Sequence, residues 1–154
     1  MKTTKAKGFT LIELIVVIAI IGVLAAILVP TMLGYVTKSR CSSANANAKS
    51  FYNAINSALV DLDSEGVDTA SFNGDTTALT GDLQTKVTNY FADYTKLTSY
   101  SARIANGTCT AVVIQNGAYY GSYPRPTTVD APAAGATNVS TQCKTQPDLA
   151  AAGG

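Results

Sequence analysis

Residues 1–33 read MKTTKAKGFTLIELIVVIAIIGVLAAILVPTML, and this stretch decides how the rest of the chain is organised. Three lysines precede Gly8, and every residue from Leu14 to Val29 is apolar or glycine. About 20 apolar residues, at a rise of ~1.5 Å each, span the ~30 Å hydrocarbon layer of a membrane. The stretch therefore predicts a membrane-spanning helix over residues 9–33, with its lysine-rich beginning on the cytoplasmic side.

Glu13 is the only charged residue between Lys7 and Lys38. An ionised carboxylate in a lipid-facing helix costs roughly 2.5–3.5 kcal/mol, so such a residue usually has a partner and a function. Two interpretations are open from the residues alone. Glu13 lies at the level of the lipid headgroups, or it meets a cationic group inside the apolar layer.

An ordinary secretory signal is cut after its apolar core, next to small residues. Ala25 and Ala26 are the nearest such pair, but three further apolar residues follow them before Pro30. Hydropathy alone therefore favours an uncleaved single-pass anchor.

The composition excludes several classes of protein. The chain has 154 residues, enough for one domain besides the anchor, with 11 Lys and Arg against 10 Asp and Glu. Without the three lysines of the first eight residues the balance is 8 − 10 = −2, which gives no reason to expect binding to nucleic acid. Histidine is absent, and we find no catalytic arrangement of side chains and no GxxxxGK[ST] loop. We expect neither an enzyme nor a cofactor.

Beyond Pro30 the helix is predicted to continue to about Asp63, with one apolar face. That face is formed by Ala44, Ala48, Phe51, Ile55, Ala58, Leu59 and Leu62, and Cys41 shares it. Lys49, Asn53, Asn56 and Ser57 lie on the opposite side. A face of this kind needs a sheet to cover it.

The remaining residues predict a short helix and a small sheet. Residues 82–96 have an amphipathic pattern, with Leu83, Val87, Tyr90, Phe91 and Tyr94 on one side. Two Asn-Gly pairs, at 106–107 and 116–117, separate strand-like runs at 99–105, 108–115 and 118–123. Asn-Gly is a strong hairpin signal because both turn residues can take positive φ, so we predict a three-stranded antiparallel meander. The fold class is therefore α+β.

Residues 61–68 contain alternating acids but have Phe72 where a calcium loop needs a closing glutamate, so we expect an acidic helix end and no metal site. The three cysteines form no CxxC pair, which also argues against zinc. If the head lies outside the membrane, one disulfide and one free thiol are expected. The tail from Pro124 to Gly154 is predicted to be mostly irregular.

The sequence Lys7-Gly-Phe-Thr-Leu-Ile-Glu13-Leu14 closely resembles the class III signal of type IV prepilins and pseudopilins. The resemblance implies that a prepilin peptidase cuts after Gly8 and methylates the amino group of Phe9. It also makes Glu13 the glutamate of the family, which would meet the Phe9 amine of a neighbouring subunit. Because Phe9 and Glu13 are four residues apart, we expect them on one helical face.

The same resemblance implies two further features. The helix between Gly22 and Pro30 can lose helicity in assembled filaments of the family. A disulfide often ties the carboxy-terminal segment of such pilins to the sheet, which points to Cys109 and Cys143; pairings of Cys41 with either remain open.

By this resemblance the chain is expected to be a structural subunit of a type IV pilus, serving adhesion, twitching motility or DNA uptake. Residues 1–8 would be the leader, 9–33 the membrane and filament-core helix, and 34–154 the head outside the cytoplasm. Its partners would be its own copies, the prepilin peptidase, and the assembly platform with its ATPase. It would leave the cytoplasmic membrane for a fibre at the cell surface. The alternatives are a pseudopilin of a type II secretion or competence machine, and an anchored binding module or tip adhesin.

Overall fold

The structure is a computed structural model that describes residues 8–127 and 143–153. The chain divides into two compact units, Met1–Val36 and Thr37–Gly154. Residues 1–7 of the predicted leader and residues 128–142 of the predicted tail lie outside the described residues.

Helix α1 spans Leu11–Ser64 and contains Pro30. Its amino-terminal portion is long and apolar enough to cross a membrane, with a mean hydropathy of 3.2 over 18 residues. From Thr37 onward the helix belongs to the second unit, where it becomes amphipathic as predicted. Every residue of the predicted apolar face is buried there, and so is Cys41. Phe51 packs its ring against Tyr94 and Tyr100, with centroids 5.8 and 5.0 Å away.

Four antiparallel strands form one sheet in the order β1-β2-β3-β4. Their bounds are Gly74–Thr76, Ser99–Ala105, Thr108–Asn116 and Tyr119–Tyr123. The predicted meander is confirmed to within one residue at each strand end. The prediction missed β1, because three residues reading Gly-Asp-Thr carry no alternation of apolar and polar side chains. Tertiary pairing creates this strand: Asp75 lies opposite Arg103 and accepts two hydrogen bonds from its guanidinium, at 2.6 and 2.8 Å.

The two hairpin turns differ from each other. Asn106 and Gly107 both have positive φ, +53° and +69°, as the sequence predicts for a two-residue turn. In the second hairpin Asn116 pairs with Tyr119 at the strand ends, so Gly117 and Ala118 form the turn. Gly117 has a φ of +61° and Ala118 does not have a positive φ, which is the pattern of a type II′ turn. The prediction that Asn116-Gly117 are the turn residues is therefore wrong by one position.

A β-bulge in β3 decides which side chains face α1. Arg103 pairs with Ala111 and Ile104 pairs with Cys109, so Thr110 is an extra residue in β3. The extra residue moves Cys109 to the same side as Val112 and Ile114. Sequence alternation alone puts Cys109 on the opposite side from those two residues.

Ala111 and Val113 face the other side of the sheet, where helix α3, Leu149–Gly153, covers them. The predicted irregular tail therefore ends in a short helix that packs on the sheet. This explains why both faces of β3 are apolar: each of them is covered.

The predicted helix over 82–96 is divided in the structure. Helix α2 spans Gly81–Tyr90 and is followed by a 3₁₀ segment, Ala92–Lys96. Tyr90, the last residue of α2, is half exposed and donates a hydrogen bond to Asp61 at 2.5 Å. Glu65 pairs with Lys86 beside it. The acidic end of α1 thus binds α2.

Two asparagines on α1 bind backbone groups of the sheet and the segment after it. The Asn56 amide accepts from the Cys109 N–H at 2.9 Å and donates to the Cys109 carbonyl at 3.3 Å. Asn45 Oδ1 accepts from the N–H groups of Ser122 and Thr127 at 3.1 and 3.0 Å, and Asn45 Nδ2 donates to the Thr127 carbonyl at 2.8 Å. The sequence placed Asn56 on the solvent side, but its amide holds α1 to β3.

The architecture is a long amino-terminal helix whose second half packs against a four-stranded antiparallel sheet. The predicted α+β class is confirmed.

Candidate processing and assembly site

Gly8 and Phe9 lie before the first helix, outside regular secondary structure. Phe9 is 91% exposed, and no atom of the described residues lies within 4 Å of the position that a Gly8 Cβ would occupy. The peptide bond between them is therefore open to another protein.

Thr10 and Glu13 form a capping box at the start of α1. The Glu13 carboxylate accepts hydrogen bonds from the Thr10 backbone N–H at 2.8 Å and from the Thr10 hydroxyl at 2.7 Å. In return, the Thr10 hydroxyl accepts from the Glu13 N–H at 3.3 Å. This reciprocal pair satisfies N–H groups that a helix end otherwise leaves without partners. The signal was present in the sequence as Thr-x-x-Glu before an apolar run, and the sequence reasoning overlooked it.

The capping box also changes the expected placement of Phe9. Because Thr10 is the cap and α1 begins at Leu11, Phe9 lies before the helix and not on its first turn. A cap residue has a non-helical backbone, which ends the helical face at that point. In the uncut chain, Phe9 and Glu13 therefore do not share a helical face.

Every large apolar side chain from Phe9 to Val36 is exposed. From Phe9 to Val36 they are Phe9, Leu11, Ile12, Leu14, Ile15, Val16, Val17, Ile18, Ile20, Ile21, Val23, Leu24, Ile27, Leu28, Val29, Met32, Leu33, Tyr35 and Val36. A continuous apolar surface of this extent is characteristic of contact with lipid or with other proteins. From Leu14 to Val29 the helix is apolar all round and has no separate polar face.

Gly22 and Pro30 both lie inside α1, which is continuous across them. Pro30 has no N–H to give to the carbonyl one turn earlier, so the helix lacks one ladder bond there. The loss of helicity between these positions in a filament stays a prediction.

The three cysteines are free and buried. Cys109 donates to the Ala111 carbonyl at 3.6 Å, and burial raises the pKa of its thiol to about 12. Burial and a hydrogen bond with Cys41 raise the pKa of the Cys143 thiol to about 11. The structure thus brings Cys143 to Cys41, and not to Cys109 as the resemblance implied.

Comparison with known proteins locates the similarity at the amino terminus. A family model described as the prokaryotic N-terminal methylation motif matches residues 3–29. The chain is 50% identical over 48 residues to the type IV major pilin protein PilA of Myxococcus xanthus, covering 31% of this chain and 22% of that protein. It is 46% identical over 55 residues to the type IV major fimbrial protein FimA of Dichelobacter nodosus, covering 36% and 35%. It is 47% identical over 53 residues to the type IV major alpha-pilin of Moraxella bovis, covering 34% and 33%.

The chain thus spans about a fifth to a third of the length of these curated relatives. No solved structure matches it. The matched residues include the exposed Gly8-Phe9 bond, the Thr10–Glu13 box and the apolar helix. By this amino-terminal segment, the chain is similar to type IV major pilins and fimbrial proteins.

Proposed function

We propose that this chain is a structural subunit of a type IV pilus that is cut after Gly8, methylated at Phe9 and polymerised with its own copies. The observation that carries the proposal is the amino-terminal unit itself. It joins an open Gly8-Phe9 bond, inside a matched methylation motif, to a helical segment, residues 11–36, whose large apolar side chains are all exposed. A peptidase needs the first feature, and a filament core needs the second.

Before assembly, residues 9–33 span the cytoplasmic membrane with the leader on the cytoplasmic side. Residues 34–154 form the head outside. On assembly, the apolar helices of other copies replace lipid around α1, so the exposed side chains stay out of water throughout. The prepilin peptidase prepares the chain, and an assembly platform with its ATPase supplies the work.

Glu13 sets the register between neighbouring copies. Both of its hydrogen bonds from Thr10 go to the same oxygen, Oε2. A carboxylate has acceptor capacity on its other oxygen, where the methylated amine of Phe9 from a neighbour can bind. In a low-dielectric core, an unpaired Glu13 is penalised, and a paired one favours a single stagger.

Mass spectrometry of fibres sheared from cells tests the function. We expect this chain to dominate the fibres and to begin at a methylated Phe9. Replacing Gly8 with leucine should leave a full-length precursor in the membrane. Normal filaments from Gly8→Leu, or fibres whose chains begin at Met1, would contradict the peptidase step.

Glu13→Gln tests the register pair separately from helix capping. Glutamine accepts the same capping hydrogen bonds but carries no charge. We expect the variant to be cut after Gly8 and to accumulate in the membrane, with filaments reduced at least tenfold. Asp63→Asn, which neutralises an exposed carboxylate in the head, is the control and should assemble normally. Wild-type levels of filaments from Glu13→Gln would show that charge pairing does not set the register.

A further inference from the structure

Two of the three cysteines lie at one place in the head. Cys41 is on α1 and is 3% exposed, and Cys143 directly follows the undescribed part of the tail and is 1% exposed. Cys41 Sγ lies 3.6 Å from the Thr127 carbonyl oxygen and 3.7 Å from Thr127 Oγ1. The Thr127 hydroxyl donates to the Tyr120 carbonyl at 2.7 Å, and the Tyr120 N–H donates to the Cys143 carbonyl at 2.7 Å. These contacts place the described residues Thr127 and Cys143 at Cys41.

The third cysteine is far from this place. The side chain of Asn56 forms hydrogen bonds with both the N–H and the carbonyl of Cys109. Asn56 lies 56 − 41 = 15 residues after Cys41 on α1. At ~1.5 Å per residue this is about 22 Å along the helix. Along the sheet, Cys143 is bonded to Tyr120, whose partner in β3 is Gln115, six residues beyond Cys109. A disulfide needs two Cα atoms within about 7 Å, so Cys109 can join neither of the other two without a large movement.

We propose that Cys41 and Cys143 form a disulfide that ties the carboxy-terminal segment to α1, and that Cys109 remains a thiol in the core. The proposal rests on the head lying outside the cytoplasm, as proposed above. It departs from the pairing with the sheet that the family resemblance implied.

The oxidant is the disulfide of a thiol–disulfide oxidoreductase or a small-molecule disulfide. One cysteine thiolate attacks the oxidant disulfide, forming a mixed disulfide and releasing one oxidant thiol. The second cysteine then attacks its partner's sulfur, closing the Cys41–Cys143 bond and releasing the other oxidant thiol. Two electrons pass to the oxidant, and the two cysteine protons are released to the buffer or to the oxidant thiolates. Because both sulfurs are buried in the folded head, the exchange takes place during folding, before Cys41 and Cys143 are enclosed.

The bond has a structural consequence for the outer face of the sheet. Only five residues separate Cys143 from the start of α3 at Leu149, and α3 covers Ala111 and Val113. Fixing Cys143 to α1 keeps this short helix close to the sheet. Reduction should therefore increase amide exchange at Ala111 and Val113.

Peptide mapping of the full-length chain tests the pairing. The chain is purified in detergent, refolded with oxidised and reduced glutathione, unfolded in guanidinium chloride, alkylated there with iodoacetamide and digested without reduction. Trypsin releases the Cys41 peptide between Arg40 and Lys49, and chymotrypsin cuts after Tyr119 or Tyr120, which separates Cys109 from Cys143. We expect an intact mass about 2 Da below that of the reduced chain, a Cys41–Cys143 cross-linked peptide and an alkylated Cys109. A cross-link that contains Cys109, or three alkylated cysteines, would overturn the proposal.

Variants give a second measurement. Cys109→Ala should keep the cross-link, whereas Cys41→Ser and Cys143→Ser should each abolish it. Reductant should lower the Tm of the wild-type head by roughly 10 °C and leave the Tm of Cys41→Ser unchanged. If reductant lowers the Tm of the wild type and of Cys41→Ser equally, the proposal is overturned. Peptide mapping of the wild type decides the pairing even if a variant does not fold. The same mapping on chains taken from cells tests the location of the head, so the pairing and the proposed function can fail separately.

Discussion

Gly121 in β4 lies directly against the backbone of Ala44 in α1. A Cβ atom at Gly121 would be 2.2 Å from the Ala44 carbonyl oxygen and 2.6 Å from the N of Asn45. Backbone atoms of a helix cannot move aside as a flexible side chain can. This contact brings the strand close enough for Asn45 to bond the Ser122 N–H.

Gly121→Ala should therefore separate β4 from α1. We expect a loss of about 3 kcal/mol in the free energy of unfolding, measured by urea denaturation of the full-length chain in detergent. Gly34→Ala adds the same methyl group at a helical position with nothing within 4 Å, and should be neutral or slightly stabilising. Equal stability of the two variants would contradict the close contact.

Asn45→Ala should leave buried backbone groups without partners. Asn45 bonds Ser122 and Thr127 through both ends of its amide, and alanine can replace none of these bonds. Because an unpaired buried N–H costs about 1–3 kcal/mol, we expect a loss of about 3 kcal/mol for the variant. The same urea titration measures it. Asn53→Ala, at an exposed position of the same helix, should change stability by less than about 0.5 kcal/mol. A similarly small effect of Asn45→Ala would show that the hydrogen bonds of Asn45 with Ser122 and Thr127 contribute little to stability.

Stability should fall at high pH through Cys109. Burial raises the pKa of its thiol from 9.0 to about 12, so the unfolded chain releases this proton first. The contribution of the protonated Cys109 thiol to the free energy of unfolding is complete below pH 9. It is lost as the pH rises from about 9 to about 12. We expect the wild type to lose on the order of 1 kcal/mol more than Cys109→Ala between pH 8 and about pH 10. The measurement is the urea midpoint at each pH, and parallel pH dependences would contradict the prediction. Tyrosine and lysine titrations are common to both proteins.

Thr10→Ala should loosen the start of α1 without removing the charge of Glu13. Loss of an N-cap side chain costs about 0.5–2 kcal/mol, so we expect faster amide exchange at residues 11–14 in detergent. Ser39→Ala, at an exposed position inside the helix, is the control and should leave this exchange unchanged. Filament assembly should survive Thr10→Ala and fail in Glu13→Gln. If Thr10→Ala fails to assemble and Glu13→Gln assembles normally, capping and not charge accounts for the role of Glu13.

Local patterns predicted much of the head. The apolar face of α1 and the three meander strands follow from periodicity and from the Asn-Gly pairs, which act over a few residues. Strand β1 and helix α3 could not be predicted, because three and five residues carry too little pattern and both exist only through pairing with the sheet. The bulge at Thr110 was missed for a related reason: which face Cys109 takes depends on the partner strand.

The amino-terminal segment by itself determined the resemblance of this protein to type IV pilins, because Gly8, Phe9, Thr10, Glu13 and the apolar run are recognised by their order and spacing. Only the tertiary structure decided which distant segments of the head meet. Cys41 and Cys143 are about 100 residues apart in the chain, and their meeting depends on Gly121 allowing β4 to reach α1 and on Asn45 holding Thr127 there. Spacing along a chain encodes a helix or a motif, but contacts between distant segments are selected by packing and by hydrogen bonds that form only in the folded head.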